Sequence, residues 1–317
     1  MRLQKLKLKK NGSSEKDKLF MKKQSYKLAI YLSDHIGLWV FRIFSWFIAT
    51  GYFLFFPQRV ASSRKFYKAL FQRRGLFYHL LCVWRQYHNF TDVFLDRFLM
   101  QEGNAVDFTK EGWEYLDEAA GKKTGAIIVM SHIGNWEFAA QKLNSRGMPI
   151  MLYLGEKHKE QIERLQKETL AKNGVKIVTT TEDESSPFAL LEGINFLRQG
   201  GLVSLTGDRL WGNQRSVTVN FLGHKVQLPD IPHLFALMSG APLFTFFVFQ
   251  TAPRKYHIKI SPGREVKAAT RADRTRAVLE SAQAYASTLE QVAREHPFEW
   301  YHFEPFLGKK IDDGGSP

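Results

Sequence analysis

Cysteine is nearly absent from this 317-residue chain: Cys82 stands alone, so no disulfide can form within it and a stapled secreted module is excluded. The signatures of several common chemistries are missing too. There is no His-Glu-x-x-His zinc pattern, no Gly-x-x-x-x-Gly-Lys-Ser/Thr phosphate loop, no dinucleotide fingerprint and no Gly-x-Ser-x-Gly nucleophile turn. Acidic residues are in deficit, 31 against 45 Lys and Arg, which leaves a formal charge of +14. Mean hydropathy is slightly negative, which rules out a polytopic membrane protein and leaves room for one anchoring segment. No Ala-x-Ala site follows the first apolar stretch, so a cleaved leader is not expected.

Aromatic side chains, by contrast, are plentiful. With 26 Phe and 7 Trp the chain has far more surface to bury than a disordered tail carries. The charge of +14 calls for an acidic partner: nucleic acid, an anionic membrane face or an acidic carrier protein. Residues 1–26 read as a solvated basic arm, with Arg2, Lys5, Lys7, Lys9, Lys10, Lys16, Lys18, Lys22 and Lys23 against Glu15 and Asp17. No aromatic residue is interleaved with its first 19 positions, so nucleic acid is not the expected partner.

Residues 27–100 read as a membrane-anchoring helical region. From Gly37 to Phe56 only Arg42 interrupts an apolar, aromatic run of about twenty residues, or about 30 Å of helix. Trp39, Trp46 and Tyr52 suit a membrane interface, and Arg42 can snorkel from one end. Both flanks are basic, so a single span and a helix lying in the surface stay open, as does a buried aromatic helix of a soluble core. Leu76 to Met100 reads as a helix packed on this anchor, with Cys82 a small buried hydrophobe.

Residues 101–310 have the pattern of a catalytic α/β unit, and 311–317 that of a frayed tail. Strands are predicted at 126–131, 149–154, 175–180 and 202–207, separated by helices including one over 157–173. That alternation implies a mostly parallel central sheet flanked by helices. Segments 217–221, 242–250 and 256–261 are expected to add antiparallel edge strands, and Arg271 to Glu295 a long closing helix.

In such a sheet, chemistry gathers at the carboxyl ends of the strands. The first such loop runs Ser131-His132-Ile133-Gly134-Asn135-Trp136-Glu137. A strand delivers His132, Gly134 permits an unusual backbone angle, and Asn135 caps a helix whose first turn holds Glu137. A carboxylate beside an imidazole makes a competent general base; the plainer alternative is a structural histidine beside a capping glutamate. A second candidate is Gly207-Asp208-Arg209 at another strand end, where Arg209 can hold a phosphate or carboxylate bidentately, or the residues simply make a surface turn.

The His132-x4-Glu137 run after a strand resembles the signature of the lysophospholipid acyltransferase superfamily, and His-x-Gly-Asn-Trp-Glu is similar to the form in the lipid A biosynthesis late acyltransferases. The resemblance extends over roughly residues 27 to 308. It implies a glycerolipid acyltransferase-like fold in which His132 is the general base, Glu137 orients it, and amides near Gly134 and Asn135 or a nearby cation stabilise the oxyanion. It implies neither metal nor other cofactor. Asp208 takes the place of the family's required Asp, contacting the acceptor or ordering the His loop. Asn135 and Arg209 join it as substrate-binding candidates, and Arg164, with Lys172 also nearby, is assigned to a basic position of the family.

Phe221, Leu222 and Gly223 resemble a segment expected to line the acyl groove; an ordinary β-hairpin is the alternative. The run from Pro297 through Glu299, Trp300 and Tyr301 resembles the family's closing motif. Two departures stand out: Arg209 where Gln is common, and Glu304-Pro305-Phe306 where His and paired Arg usually continue. The implied partners are an acyl carrier protein or acyl-CoA donor, a lipid acceptor and an anionic membrane. The implied location is the cytoplasmic side of a bacterial inner membrane. Acylation of a lysophospholipid, amino-acid lipid or other acceptor, and a non-catalytic basic membrane adaptor, are the competing readings.

Overall fold

A computed structural model describes residues 38–101, 106–121, 124–145, 148–155, 171, 174–180 and 187–311. The basic arm, the helix expected over 157–173 except residue 171, with Arg164, and the tail beyond residue 311 lie outside the described residues.

Three helices open the described chain: α1 (Leu38–Phe55), α2 (Pro57–Leu70) and α3 (Leu76–Gln101). Pro57 divides the first two, since it has no amide hydrogen for α1 and suits the first turn of α2. α1 packs on α3, with Trp46 beside His88 and Phe53 beside Tyr87. Its polarity is inverted relative to a helix of a soluble core. Ser45 and Ala49 are buried, whereas Phe44, Phe47, Ile48 and Phe55 form an exposed stripe, Phe55 at 79% exposure. No described helix is long and apolar enough to cross a membrane. Arg42, expected to snorkel, instead lines a cavity of about 220 Å³ with Asp92 and Asp96 of α3.

The rest is a seven-stranded sheet with helices on both faces. In chain order it holds β1 (Asp107–Glu111), α4 (Trp113–Gly121), β2 (Ala126–Gly134), α5 (Trp136–Ser145), β3 (Ile150–Gly155), β4 (Lys176–Thr180), α6 (Pro187–Arg198) and β5 (Leu202–Thr206). There follow β6 (Ser216–Phe221), β7 (His224–Pro229), α7 (Ile231–Ser239), β8 (Leu243–Ala252), β9 (Lys255–Ile260) and α8 (Arg274–Glu295). The sheet order is β1-β9-β8-β2-β5-β3-β4, parallel throughout except where β8 meets β9.

Three expectations change, the first being that β9, antiparallel to β8 as expected, lies inside the sheet between β8 and β1 and not at its edge. β8 is no edge strand: it lies beside β2 and parallel to it, and its run of buried residues covers both faces. Residues 217–221 do not join the sheet but pair with β7 in a separate hairpin.

Alternation along the strands divides the interior. Ile127, Val129, Val203, Leu205 and Phe247 meet α7, α8 and the aromatic residues of α2 and α3 on one face. Ile128, Met130, Leu202 and Phe246 meet α4 and α5 on the other. A strand buried on both faces carries little that is polar, so its carboxyl end is where polar side chains emerge.

Candidate active site

β2 and β5 are parallel neighbours, with Met130 opposite Thr206 as their last registered pair. Two residues further along each strand stand His132 and Asp208. The Asp208 carboxylate is fully buried. Its Oδ1 lies 2.8 Å from His132 Nδ1, while its Oδ2 accepts from the His132 amide at 2.8 Å and from the Trp300 indole Nε1–H at 2.8 Å. Burial by itself would raise this carboxyl, but the charge and hydrogen bonds of His132, with a smaller effect from His302, outweigh it and hold Asp208 well below the usual carboxylate range. An ionised carboxylate only accepts, so Nδ1 carries the proton and the His132 Nε2 lone pair is left for chemistry. The His132 side chain is 21% exposed.

A bulge in β2 aims this imidazole. Met130 pairs with Phe246 of β8, but the next registered pair is Gly134 with Val248. Two extra residues on β2 therefore swing out of the ladder around His132. Gly134 closes the bulge at φ +67, where a Cβ would stand 1.6 Å from the Val248 carbonyl oxygen. The closing segment then locks it: Gly134 N–H donates to Glu299 O, Tyr301 N–H donates to His132 O, and Trp300 bridges Ile133 in antiparallel fashion. Trp300 is buried against Phe66, Phe221 and Phe306, and its carbonyl accepts from the Gln86 side chain.

These bonds correct one expectation. The Gly134 amide is committed to Glu299 and the Asn135 amide to Val248 O, while the His132 and Ile133 amides are taken by Asp208 and Ser131 Oγ. In this conformation none of the four is free to receive an oxyanion. Asn135 is fully buried, and its Oδ1 caps α5 by accepting from Phe138 N–H at 3.3 Å. Glu137 lies in the first turn of α5, and its side chain is outside the described residues. The carboxylate on His132 Nδ1 is that of Asp208.

Arg209 follows directly, its guanidinium 5.5 Å from the Trp211 ring centroid and its Nε 3.7 Å from Glu304 Oε2. Phe221, Leu222 and Gly223 form the β6–β7 turn, with Leu222 and Gly223 both at positive φ, the geometry of a two-residue hairpin loop. Phe221 and Leu222 are buried, and the Phe221 ring packs on Trp300.

His302 was not singled out in the sequence. It is buried with its ring centroid 5.9 Å from that of His132 and nearly perpendicular to it. Burial, with Arg209 and His132 adding to it against the pull of Asp208 and Glu304, lowers its pKa to about 4. Its Nδ1–H donates to the Glu304 carbonyl at 3.2 Å, so Nε2 holds the lone pair. The one available signal was a histidine inside an aromatic closing motif.

A phosphatidylinositol mannoside acyltransferase of Mycobacterium tuberculosis, in strains ATCC 25618 / H37Rv and CDC 1551 / Oshkosh, is 25% identical to this chain over 202 residues. That match covers 61% of this chain and 58% of the relative, so the chain spans less than two thirds of the relative's length. Residues 96–307, which contain β2, β5, His132, Asp208 and the closing segment, match the family described as bacterial lipid A biosynthesis acyltransferase, and the chain belongs to that family.

Proposed function

We propose that this protein transfers a fatty acyl chain from a thioester to a hydroxyl of a glycolipid, with His132 as general base. The observation that carries the reading is the 2.8 Å contact between His132 Nδ1 and the buried Asp208 carboxylate, inside the region that matches an acyltransferase family. His132 Nε2 takes the proton of the acceptor hydroxyl as its oxygen attacks the thioester carbonyl. Asp208 stabilises the imidazolium that forms. The tetrahedral intermediate collapses with cleavage of the C–S bond, and the imidazolium proton goes to the departing thiolate. Glu137 supports the same imidazole from α5.

The donor in this reading is an acyl carrier protein in preference to acyl-CoA, because a surface of +14 complements an acidic carrier. The acceptor is a glycosylated lipid. The relative's name points to a mannosylated phosphatidylinositol, and the family description to a lipid A precursor. The enzyme works at the cytoplasmic face of a bacterial inner membrane, held there by the exposed aromatic stripe of α1.

The test is His132→Ala in the full chain, assayed with acyl carrier protein and acyl-CoA donors and followed by mass spectrometry of total lipid from cells carrying either form. Transfer should fall at least a thousandfold, with folding and membrane association intact. Transfer retained by the variant removes His132 from the mechanism. Membrane binding with no acylated product in the wild type selects the non-catalytic adaptor.

A further inference from the structure

The two departures from the family pattern, Arg209 and Glu304, lie 95 positions apart in the chain and meet in space at 3.7 Å. We infer that Arg209 is a specificity-determining residue that holds the phosphate of an anionic acceptor headgroup, with Glu304 as a built-in counter-ion that the phosphate displaces. The inference rests on the acyltransferase reading for its assay, but not for its binding arm.

Arg209 has an unsatisfied guanidinium donor. Its side chain is only 13% exposed, and its Nε is buried without a hydrogen bond among the described residues. The neighbouring Asp208 does not neutralise it, because both Asp208 oxygens are engaged by His132 and Trp300. The guanidinium lies over the Trp211 ring, its Cζ 5.5 Å from the centroid. His302, close enough for Arg209 to help depress its pKa, stays neutral at physiological pH and brings no negative charge.

That leaves Glu304. Its contact with Arg209 is longer than a hydrogen bond, and its side chain is 40% exposed, so the ion pair itself is weak. A phosphate accepts two parallel guanidinium hydrogen bonds and is a stronger partner than a half-solvated carboxylate at this distance. The placement suits an acceptor: Arg209 is one residue from the carboxylate that orients His132, so a phosphate held there brings its own headgroup hydroxyls toward His132 Nε2. The carbonyl of Glu304, which accepts from His302 Nδ1–H, keeps the segment in place when the carboxylate moves.

Two assays on the full chain test this, using a phosphatidylinositol mannoside and a mannosyl diacylglycerol with the same acyl chains, both in neutral detergent micelles. In turnover, Arg209→Gln is expected to raise KM for the phosphate-bearing lipid tenfold or more with kcat within threefold, and to leave the neutral lipid unaffected. Glu304→Gln should lower KM for the phosphate-bearing lipid about threefold, because the competitor is gone. A fall in kcat with KM unchanged in Arg209→Gln would place the guanidinium on the reacting carbonyl and overturn the proposal. Equal effects on both lipids would reduce the pair to a structural clasp.

The second assay is equilibrium binding of the same two micelle-borne lipids without any thioester donor. Loss of the preference for the phosphate-bearing lipid in Arg209→Gln, and a gain in Glu304→Gln, support the proposal even if no acyl transfer is found. An unchanged preference in both variants sinks it, whether or not the wild type turns over.

Discussion

Asp208 is the residue on which the site turns, because one carboxylate serves the imidazole, the backbone amide behind it and the indole of the closing segment. Asp208→Asn keeps the shape and removes the charge that stabilises an imidazolium. We expect kcat to fall by roughly 10²–10⁴-fold with little change in KM, measured by steady-state transfer. A change confined to KM would place Asp208 on the acceptor instead. Both residues were legible as candidates, since each ends an apolar run. Their contact was not, because two strands intervene in the chain between β2 and β5 and only the sheet order makes them neighbours.

His302 adds a pH signature. Its folded pKa of about 4 lies below the 6.5 of an unperturbed histidine, so the unfolded chain binds more protons between those values. Stability is therefore full above about pH 6.5 and declines as the pH falls toward 4. His233, fully buried beside Ser281 with its pKa also lowered by burial to about 4, acts in the same direction. Asp208 is depressed too, so its contribution is present above the ordinary carboxylate range near pH 3.9 and lost below it. Denaturant titrations at pH 7 and pH 5 should show the wild type losing stability and His302→Gln losing less. Equal losses would assign the acid lability to other groups.

At the scale of elements, the β2 bulge turns a strand end into the loop that presents His132. Gly134 and Gly223 have nearly the same dihedral, φ +67 and +71, but different surroundings. A Cβ at Gly134 collides with the Val248 backbone, whereas one at Gly223 meets nothing within 4 Å. Gly223→Ala should cost only about 1–2 kcal/mol, the ordinary penalty of a left-handed non-glycine residue. Gly134→Ala must open the bulge or part β2 from β8, so it should cost more than Gly223→Ala and lose most activity. Thermal melts and transfer assays of the two variants check this; similar costs would mean that the bulge is soft.

The parallel strands were readable because burial on both faces leaves continuous apolar runs, as in residues 126–130. β8 carried that same signal in Leu243–Val248, which already marked it as central rather than peripheral. β1 was missed, since its residues Asp107 to Glu111 are all exposed and show no alternation. Its strand state comes from pairing with β9, a tertiary fact that local preference does not encode.

Across the whole molecule, charge and exposed apolar surface gather on the three opening helices. Besides the outward stripe of α1, Phe56 is exposed, as are Leu76, Phe77 and Leu81 of α3, Phe77 at 83%. A patch of this kind needs a partner, and its rim suggests which. Arg59, Arg64 and Lys68 on α2, with Arg73 and Arg74 before α3, are all exposed, and Arg59 lies over the Phe56 ring. Apolar rings rimmed by cations fit an anionic bilayer surface, where the rings enter the headgroup boundary and the cations remain with the phosphates. The expected outcome is sedimentation of the full chain with phosphatidylglycerol vesicles and partial release by salt. Replacing Phe47, Phe55 and Phe77 together with serine should weaken that binding at least tenfold without lowering Tm, because these rings pack on little within the protein. Reversing Arg64, Lys68 and Arg73 to glutamate should abolish the preference for anionic over neutral vesicles while leaving the aromatic contribution in place. Unchanged binding by the serine variant would show that α1 and α3 keep their aromatic face for a protein partner, and the docking of this enzyme would then have to come from another surface.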